Sequence, residues 1–272
     1  MPEGPECKRI AESLAEFVSN KNLESIEILS GRYTKKLPSG FETVRDQLPA
    51  KVVGVGVHGK FIYWIINKEL SIWNTLGMTG SWVTEEHAHN RVRFGFSNGD
   101  YLYYRDQRNF GTLKFVRGKH QLIEKLQSLG PDMLSENISA EDFIARLRKK
   151  DKHNICKVLM DQSVVSGVGN YVKADSLWLA KINPHTKIQN LSDENLGSLN
   201  ESIQSVLRES YKSGGATISS YRDLAGNIGQ YSSRFLVYNR KTDENGNLVK
   251  KEATPDGRST FWSPSYQTVG GS

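Results

Sequence analysis

The first six residues, Met1-Pro2-Glu3-Gly4-Pro5-Glu6, hold the most reactive arrangement in the chain. Initiator methionine is normally trimmed ahead of a residue as small at its α-carbon as proline. That trimming leaves Pro2 with a free secondary amine. An α-amino group titrates near ~7.7–8.0, so part of it is unprotonated and nucleophilic at neutral pH. Condensed with an aldehyde carbon, a secondary amine gives an iminium, which acidifies the neighbouring C–H and drives elimination. Glu3 and Glu6 stand close by and could serve as general acid and base. The same hexapeptide also reads as an acidic segment that favours a helix start. On these residues alone the two readings are evenly matched.

Three further constellations could serve a polyanionic partner. Around Gly167-Val168-Gly169-Asn170, a glycine-hinged turn leads into a helix whose first N–H groups point outward. Such starts attract phosphate, and Arg146, Arg148, Lys149, Lys150, Lys152 and Lys157 add charge beside it. The plainer reading is a tight interhelical turn with a solvated lysine face. Leu76-Gly77-Met78-Thr79-Gly80 and Arg105-Asp106-Gln107-Arg108-Asn109-Phe110-Gly111 place Met78, Arg108 and Phe110 on glycine-rich turns. Apolar wedges and an arginine can fill a gap in a base stack, although such residues are more often core under a turn. Lastly, strands joined around Glu244-Asn245-Gly246 would form a hairpin with Arg258 near its tip, where a guanidinium can hold two phosphate oxygens. An ordinary exposed hairpin with a surface arginine fits as well.

The elements that must position these groups follow from periodicity. Residues 5–19 read as an amphipathic helix, with Ile10, Leu14, Phe17 and Val18 on one face and Pro5 in the first turn. From about 24 to 118, short apolar or alternating runs predict a mostly antiparallel sheet, including a hairpin turning at Asn98-Gly99-Asp100. Helices resume after Gly118: 122–129, a segment capped by Ser139 with Asp142, then 155–160, 171–181 and 193–212. Extended segments are expected at 234–238, 247–251 and 259–262. The domain junction falls between about 131 and 150.

The 272 residues carry a net charge of +6, which favours a polyanionic partner without proving one. Two widely separated cysteines, Cys7 and Cys156, leave no disulfide framework and argue against a cysteine-based metal site. His87 and His89 lack companion ligands, so no metal and no cofactor is expected. No stretch approaches the roughly 18 apolar residues of a membrane span. The acidic start is unlike a signal peptide. A soluble, intracellular monomer is therefore expected, with nucleus and cytoplasm not distinguished.

Taken in order, these motifs resemble the formamidopyrimidine-DNA glycosylase / endonuclease VIII family. The resemblance runs over nearly the whole chain. It rests on Met-Pro-Glu-Gly-Pro-Glu, Gly59-Lys60 before an aromatic strand, Leu-Gly-Met-Thr-Gly-Ser, Arg-Asn-Phe-Gly-Thr, Leu129-Gly130-Pro131-Asp132, Gly-Val-Gly-Asn-Tyr and Gly-Arg-Ser-Thr-Phe-Trp-Ser-Pro. It implies an α+β fold: an N-terminal two-layer antiparallel β-sandwich with flanking helices, a C-terminal helix-two-turns-helix domain and a β-hairpin finger. The implied boundaries are a catalytic domain over 1–131, a linker and helical start over 132–150, the helix-two-turns-helix over 151–235 and the finger over 236–272.

The resemblance also implies roles. Pro2 would attack C1′ of a damaged nucleotide, Glu3 would protonate the sugar or leaving base, and Glu6 would support later proton transfers. Lys60, Asn170 and Arg258 would grip flanking phosphates, while Met78, Arg108 and Phe110 would fill the void. The segment 219–234 would close over the extruded base. The partner implied is double-stranded DNA with an oxidised base or abasic site, single-stranded DNA remaining open, and the outcome is β,δ-elimination. Family members usually carry four cysteines in a zinc finger. Here the Cys-Pro-x-Cys segment reads Ser263-Pro264-Ser265-Tyr266, which resembles the zincless finger of eukaryotic endonuclease VIII-like enzymes. That branch leans towards oxidised pyrimidines and hydantoin or formamidopyrimidine lesions over 8-oxoguanine. The alternative is a catalytically silent relative that binds damaged DNA, against which intact Pro2, Glu3 and Lys60 argue.

Overall fold

The computed structural model describes residues 2–217, 222, 224 and 226–270. It divides into two compact units that are not continuous in sequence. The first takes residues 1–2, 6–128 and 214–229; the second takes 3–5, 129–213 and 230–272.

Helix α1 (Gly4–Val18) turns Cys7, Ile10, Ala11, Leu14 and Val18 into the core of the first unit, as their spacing requires. Eight strands follow: β1 (Asn22–Ile28), β2 (Ala50–His58), β3 (Phe61–Ile66), β4 (Leu70–Thr75), β5 (Gly80–Val83), β6 (Asn90–Phe96), β7 (Tyr101–Asp106) and β8 (Thr112–Arg117). Their order is β5-β7-β6-β1-β2-β3-β4-β8, antiparallel throughout. The short β1–β2 pairing, Asn22 with Lys51 and Leu23 with Ala50, is the hinge at which the sheet folds into two four-stranded layers. Between the layers lie Trp64, Trp82, Phe94 and Tyr104, with ring centroids 5.2–5.7 Å apart. The indole N–H of Trp82 donates to Asn74 Oδ1 at 3.0 Å, so the polar edge of this buried ring is satisfied. A short helix α2 (Phe41–Arg45) and helix α3 (Lys119–Gln127) flank the layers.

The second unit is helical: α4 (Ala140–Arg148), α5 (Ile155–Leu159), α6 (Asn170–Leu179) and α7 (Asp193–Lys212). The expected cap forms, with Asp142 N–H donating to Ser139 Oγ at 3.1 Å. Helix α7 has a full capping box, in which Ser192 and Asn195 satisfy each other's backbone N–H. Arg148, counted from sequence among the phosphate-facing cations, is instead a brace. It donates to Asp193 at 2.6 Å and to the carbonyls of Ile188 and Leu191.

The tail differs from expectation. The hairpin is β9 (Lys250–Thr254) with β10 (Arg258–Trp262), and it turns at Pro255-Asp256-Gly257. Gly257 at φ +75° supplies the left-handed residue of a three-residue hairpin loop. Glu244-Asn245-Gly246 makes a separate turn closed by a Thr242–Leu248 bridge. Residues 234–238 are not a strand, because Asp175 of α6 takes the N–H groups of Leu236, Val237 and Tyr238. Of the segment expected to close over a base, residues 219–221, 223 and 225 lie outside the described residues, and Tyr231–Arg234 is a 3-10 turn.

Candidate functional site

In the second unit the geometry begins with Glu3, which is 1% exposed. Its carboxylate accepts from Tyr171 N at 2.9 Å and from Val172 N at 3.2 Å, the first-turn amides of α6. These are donors that a helix cannot satisfy internally, at the end where its dipole favours negative charge. The helix start that the sequence suggested for phosphate therefore holds the chain's own glutamate.

The glycines of Gly167-Val168-Gly169-Asn170 have a matching purpose. A Cβ on Gly169 would lie 2.1 Å from Glu3 Cδ, so only glycine lets the carboxylate in. Gly4 N–H donates to Gly167 O at 2.9 Å, and the 160–169 loop is itself folded on Gln162. The Gln162 amide donates to the carbonyls of Met160 and Val168 and accepts from Gly167 N. Gly130-Pro131-Asp132 braces the same loop, since Ser166 N donates to Pro131 O and Met133 N to Ser166 O. Gln162 was not singled out from sequence. No local pattern marks it, since Asp161, Ser163 and Ser166 make the turn as polar around it.

Asn170, the first residue of α6, directs its Nδ2 to the carbonyl of Ser259, the residue after Arg258, at 3.1 Å. Arg258 is exposed at the start of β10, opposite Thr254. On α6 itself stands a second acid, Asp175, wholly buried. Burial, aided by the neighbouring charge of Glu3, pushes its carboxyl up to about 6 against the pull of three backbone N–H donors.

In the first unit, Pro2 is buried at the head of the chain. Glu6, 0% exposed, accepts from Ala216 N at 2.7 Å. Lys60 stands on the two-residue β2–β3 turn, where Gly59 (φ +58°) takes the first central position that a II′ turn reserves for glycine. Met78, Arg108 and Phe110 form one cluster. Arg108 lies 4.7 Å from the centroid of the Phe110 ring, and its Nη1 is 3.5 Å from Met78 Sδ. Met78 and Phe110 are 45% and 56% exposed, so neither is the core residue that the plainer reading made it. Asp106, 1% exposed and not foreseen, ties their two loops together by accepting from Thr79 Oγ1 at 2.5 Å and from Gly111 N at 2.8 Å. Arg91, also not foreseen, donates to the carbonyls of Asp106 and Gln107 beneath them.

A metal does not fit the finger. Both oxygens of Asp243, where the first cysteine pair is missing, accept N–H groups: Asn245 N and Asn247 N on one, Asn247 Nδ2 and Trp178 Nε1 on the other. Cys156 is a single buried thiol against the hairpin, its Sγ 3.3 Å from Pro184 O and 4.0 Å from Thr260 Oγ1. Among the described residues no group of three or more His, Cys, Asp or Glu could hold an ion. Nor is any helix among them long and apolar enough to cross a membrane.

A folded antiparallel sandwich, together with a helical unit carrying a β-hairpin, makes this a protein of the helix-two-turns-helix class. Residues 1–113 match the formamidopyrimidine-DNA glycosylase N-terminal domain and residues 129–222 the formamidopyrimidine-DNA glycosylase H2TH domain. The chain belongs to the formamidopyrimidine-DNA glycosylase family, a family of DNA glycosylases. It is 33% identical to the formamidopyrimidine-DNA glycosylase of Parasynechococcus marenigrum, over 98% of this chain and 100% of that one. Among solved structures it is similar to the Fpg protein of Thermus thermophilus, with a TM-score of 0.87 at 28% identity over 99% and 100% of the two chains. A complex between Lactococcus lactis Fpg and DNA containing an abasic site gives a TM-score of 0.86 at 26% identity, over 97% and 99%.

Proposed function

We propose that this protein is a bifunctional DNA glycosylase and abasic-site lyase of base excision repair. Its substrate is double-stranded DNA carrying an oxidised base or an abasic site. The observation that carries the reading is the placement of Glu3 next to the nucleophile in sequence. Its carboxylate is buried and held by two backbone N–H groups at the start of α6. The Lactococcus relative's complex with abasic-site DNA supports the choice of partner.

In this reading the Glu3 carboxylate takes the proton of the Pro2 ammonium, and the freed amine attacks C1′ of the extruded nucleotide as Glu3 passes that proton to the leaving base. The N–C1′ bond forms as the glycosidic bond breaks; the sugar ring then opens at C1′–O4′, the amine's proton passing to O4′, and the resulting iminium acidifies C2′. Loss of that proton expels the 3′ phosphate, and a second elimination expels the 5′ phosphate, leaving a one-nucleotide gap. Glu6 supports the proton transfers. Lys60, Asn170 and Arg258 hold the flanking phosphates. Met78, Arg108 and Phe110 occupy the space the base has left, a role their exposure and mutual packing support. The serine and tyrosine in place of finger cysteines support a zincless finger and a preference for oxidised pyrimidines, hydantoins and formamidopyrimidines over 8-oxoguanine.

Borohydride trapping on duplexes carrying thymine glycol, a hydantoin, 8-oxoguanine or an abasic site tests all of this. The expected result, with Met1 verified as removed, is a covalent complex on the first two and on abasic DNA, and little on 8-oxoguanine. Strong trapping on 8-oxoguanine overturns the preference. No trapping on any duplex makes the protein a silent damaged-DNA-binding relative.

A further inference from the structure

The hairpin that presents Arg258 lacks cysteines, yet its tip is fixed. Asp256 lies in the three-residue turn just before Arg258 and forms an ion pair with Lys173 of α6, with Oδ2 and Nζ 2.6 Å apart. Both side chains are fully withdrawn from water, at 1% and 0% exposure. Thr254 Oγ1 is 2.5 Å from the other Asp256 oxygen and 3.0 Å from the carbonyl of Arg258 itself, its one proton shared between the two. Thr254 and Thr260 hydroxyls meet at 2.7 Å, and Asn170 holds the next carbonyl, that of Ser259. Burial alone would raise the Asp256 carboxyl, but the hydrogen bonds from Lys173 and Thr254 hold it below the usual range.

We propose that the buried Lys173–Asp256 pair is a positioning device for Arg258, fixing the hairpin tip to α6 where other family members use cysteine-held zinc. The proposal rests on Arg258 being a phosphate clamp. A buried ion pair is a poor source of stability, since an apolar pair of similar volume generally does as well or better. What it supplies is direction and length: two charges at 2.6 Å admit one geometry, whereas apolar groups slide. The network passes from α6 to the backbone of Arg258 and Ser259, so loosening it frees the guanidinium's base rather than its tip.

The test is binding of the full chain to a duplex with a tetrahydrofuran abasic-site analogue, measured across salt concentrations beside melting temperature. Arg258→Ala should lower the slope of log affinity against log salt by about 1, the signature of one phosphate contact. Asp256→Asn should reproduce that loss, with about ten-fold weaker binding, the size of one hydrogen bond to a charged group. The double variant Asp256→Asn/Arg258→Ala should bind no worse than Arg258→Ala. Because removing one partner of a buried pair endangers folding, Lys173→Met/Asp256→Leu provides the second arm. It should keep the wild-type melting temperature while still losing the slope. A wild-type slope in that stable variant, or in a folded Asp256→Asn protein, overturns the positioning role and leaves the clamp standing. An unchanged slope in Arg258→Ala overturns the clamp itself.

Discussion

Gly169→Ala isolates the contact on which the proposed chemistry depends. The backbone at Gly169 has φ −127° and ψ −158°, an extended conformation that alanine adopts without strain. The new methyl would nevertheless stand 2.1 Å from Glu3 Cδ and 2.5 Å from its Cγ and Oε1. Backbone cannot yield there, because α6 begins at the next residue, so the glutamate side chain must leave. It then gives up the bonds from Tyr171 N and Val172 N, at 2.9 and 3.2 Å. A hydrogen bond to a charged group is worth about 1.5–3 kcal/mol, so losing two buried ones costs about 3 kcal/mol or more. In a domain of this size that corresponds to a fall of about 6–12 °C in melting temperature. Excision of a damaged base should drop towards the level of Glu3→Gln, while cleavage at a preformed abasic site, which needs no help to a leaving base, survives in part. Gly169→Ala/Glu3→Gln should be no worse than either single variant, because both remove one interaction. Wild-type melting and excision rate in Gly169→Ala would refute the reasoning.

Other expectations follow from individual environments. A carboxyl raised to about 6 in the fold stabilises most below its unfolded value, and that share fades as pH rises through about 6, so Asp175→Asn should flatten the pH dependence of melting between about pH 4 and pH 7. An unchanged profile would contradict the burial argument. Met78→Ala and Phe110→Ala should alter stability by less than about 0.5 kcal/mol, because both side chains are exposed, yet slow excision from duplex DNA. Lost stability with intact excision would return them to the core. Burial raises the Cys156 thiol to about 11, so it should resist iodoacetamide at pH 8 until the protein is unfolded; rapid labelling of the native protein would show an open site.

Much of this protein is written locally. The apolar face of α1, the Ser139 cap, the bounds Asp193–Lys212 of α7 and the Asn98-Gly99 turn obey rules that span a few residues, and those rules held. Strand β1 was obscured by a bulge between Leu23 and Ser25, which breaks the alternation that marks a strand. The expected strand at 234–238 failed because its amides are claimed by Asp175, some sixty positions earlier, and no local pattern reports a distant acceptor. The turn bearing Arg258 was displaced for a similar reason: Glu244-Asn245-Gly246 and Pro255-Asp256-Gly257 are both good turn sequences, and Lys173 distinguishes the second. Residue types alone singled out Pro2, Glu3, Met78, Arg108, Phe110 and Arg258 as candidates. That Glu3 is held by amides 168 and 169 positions away, with Gly169 bare to admit it, was decided by tertiary structure, because a carboxylate finds its donors in space and the sequence records only their order.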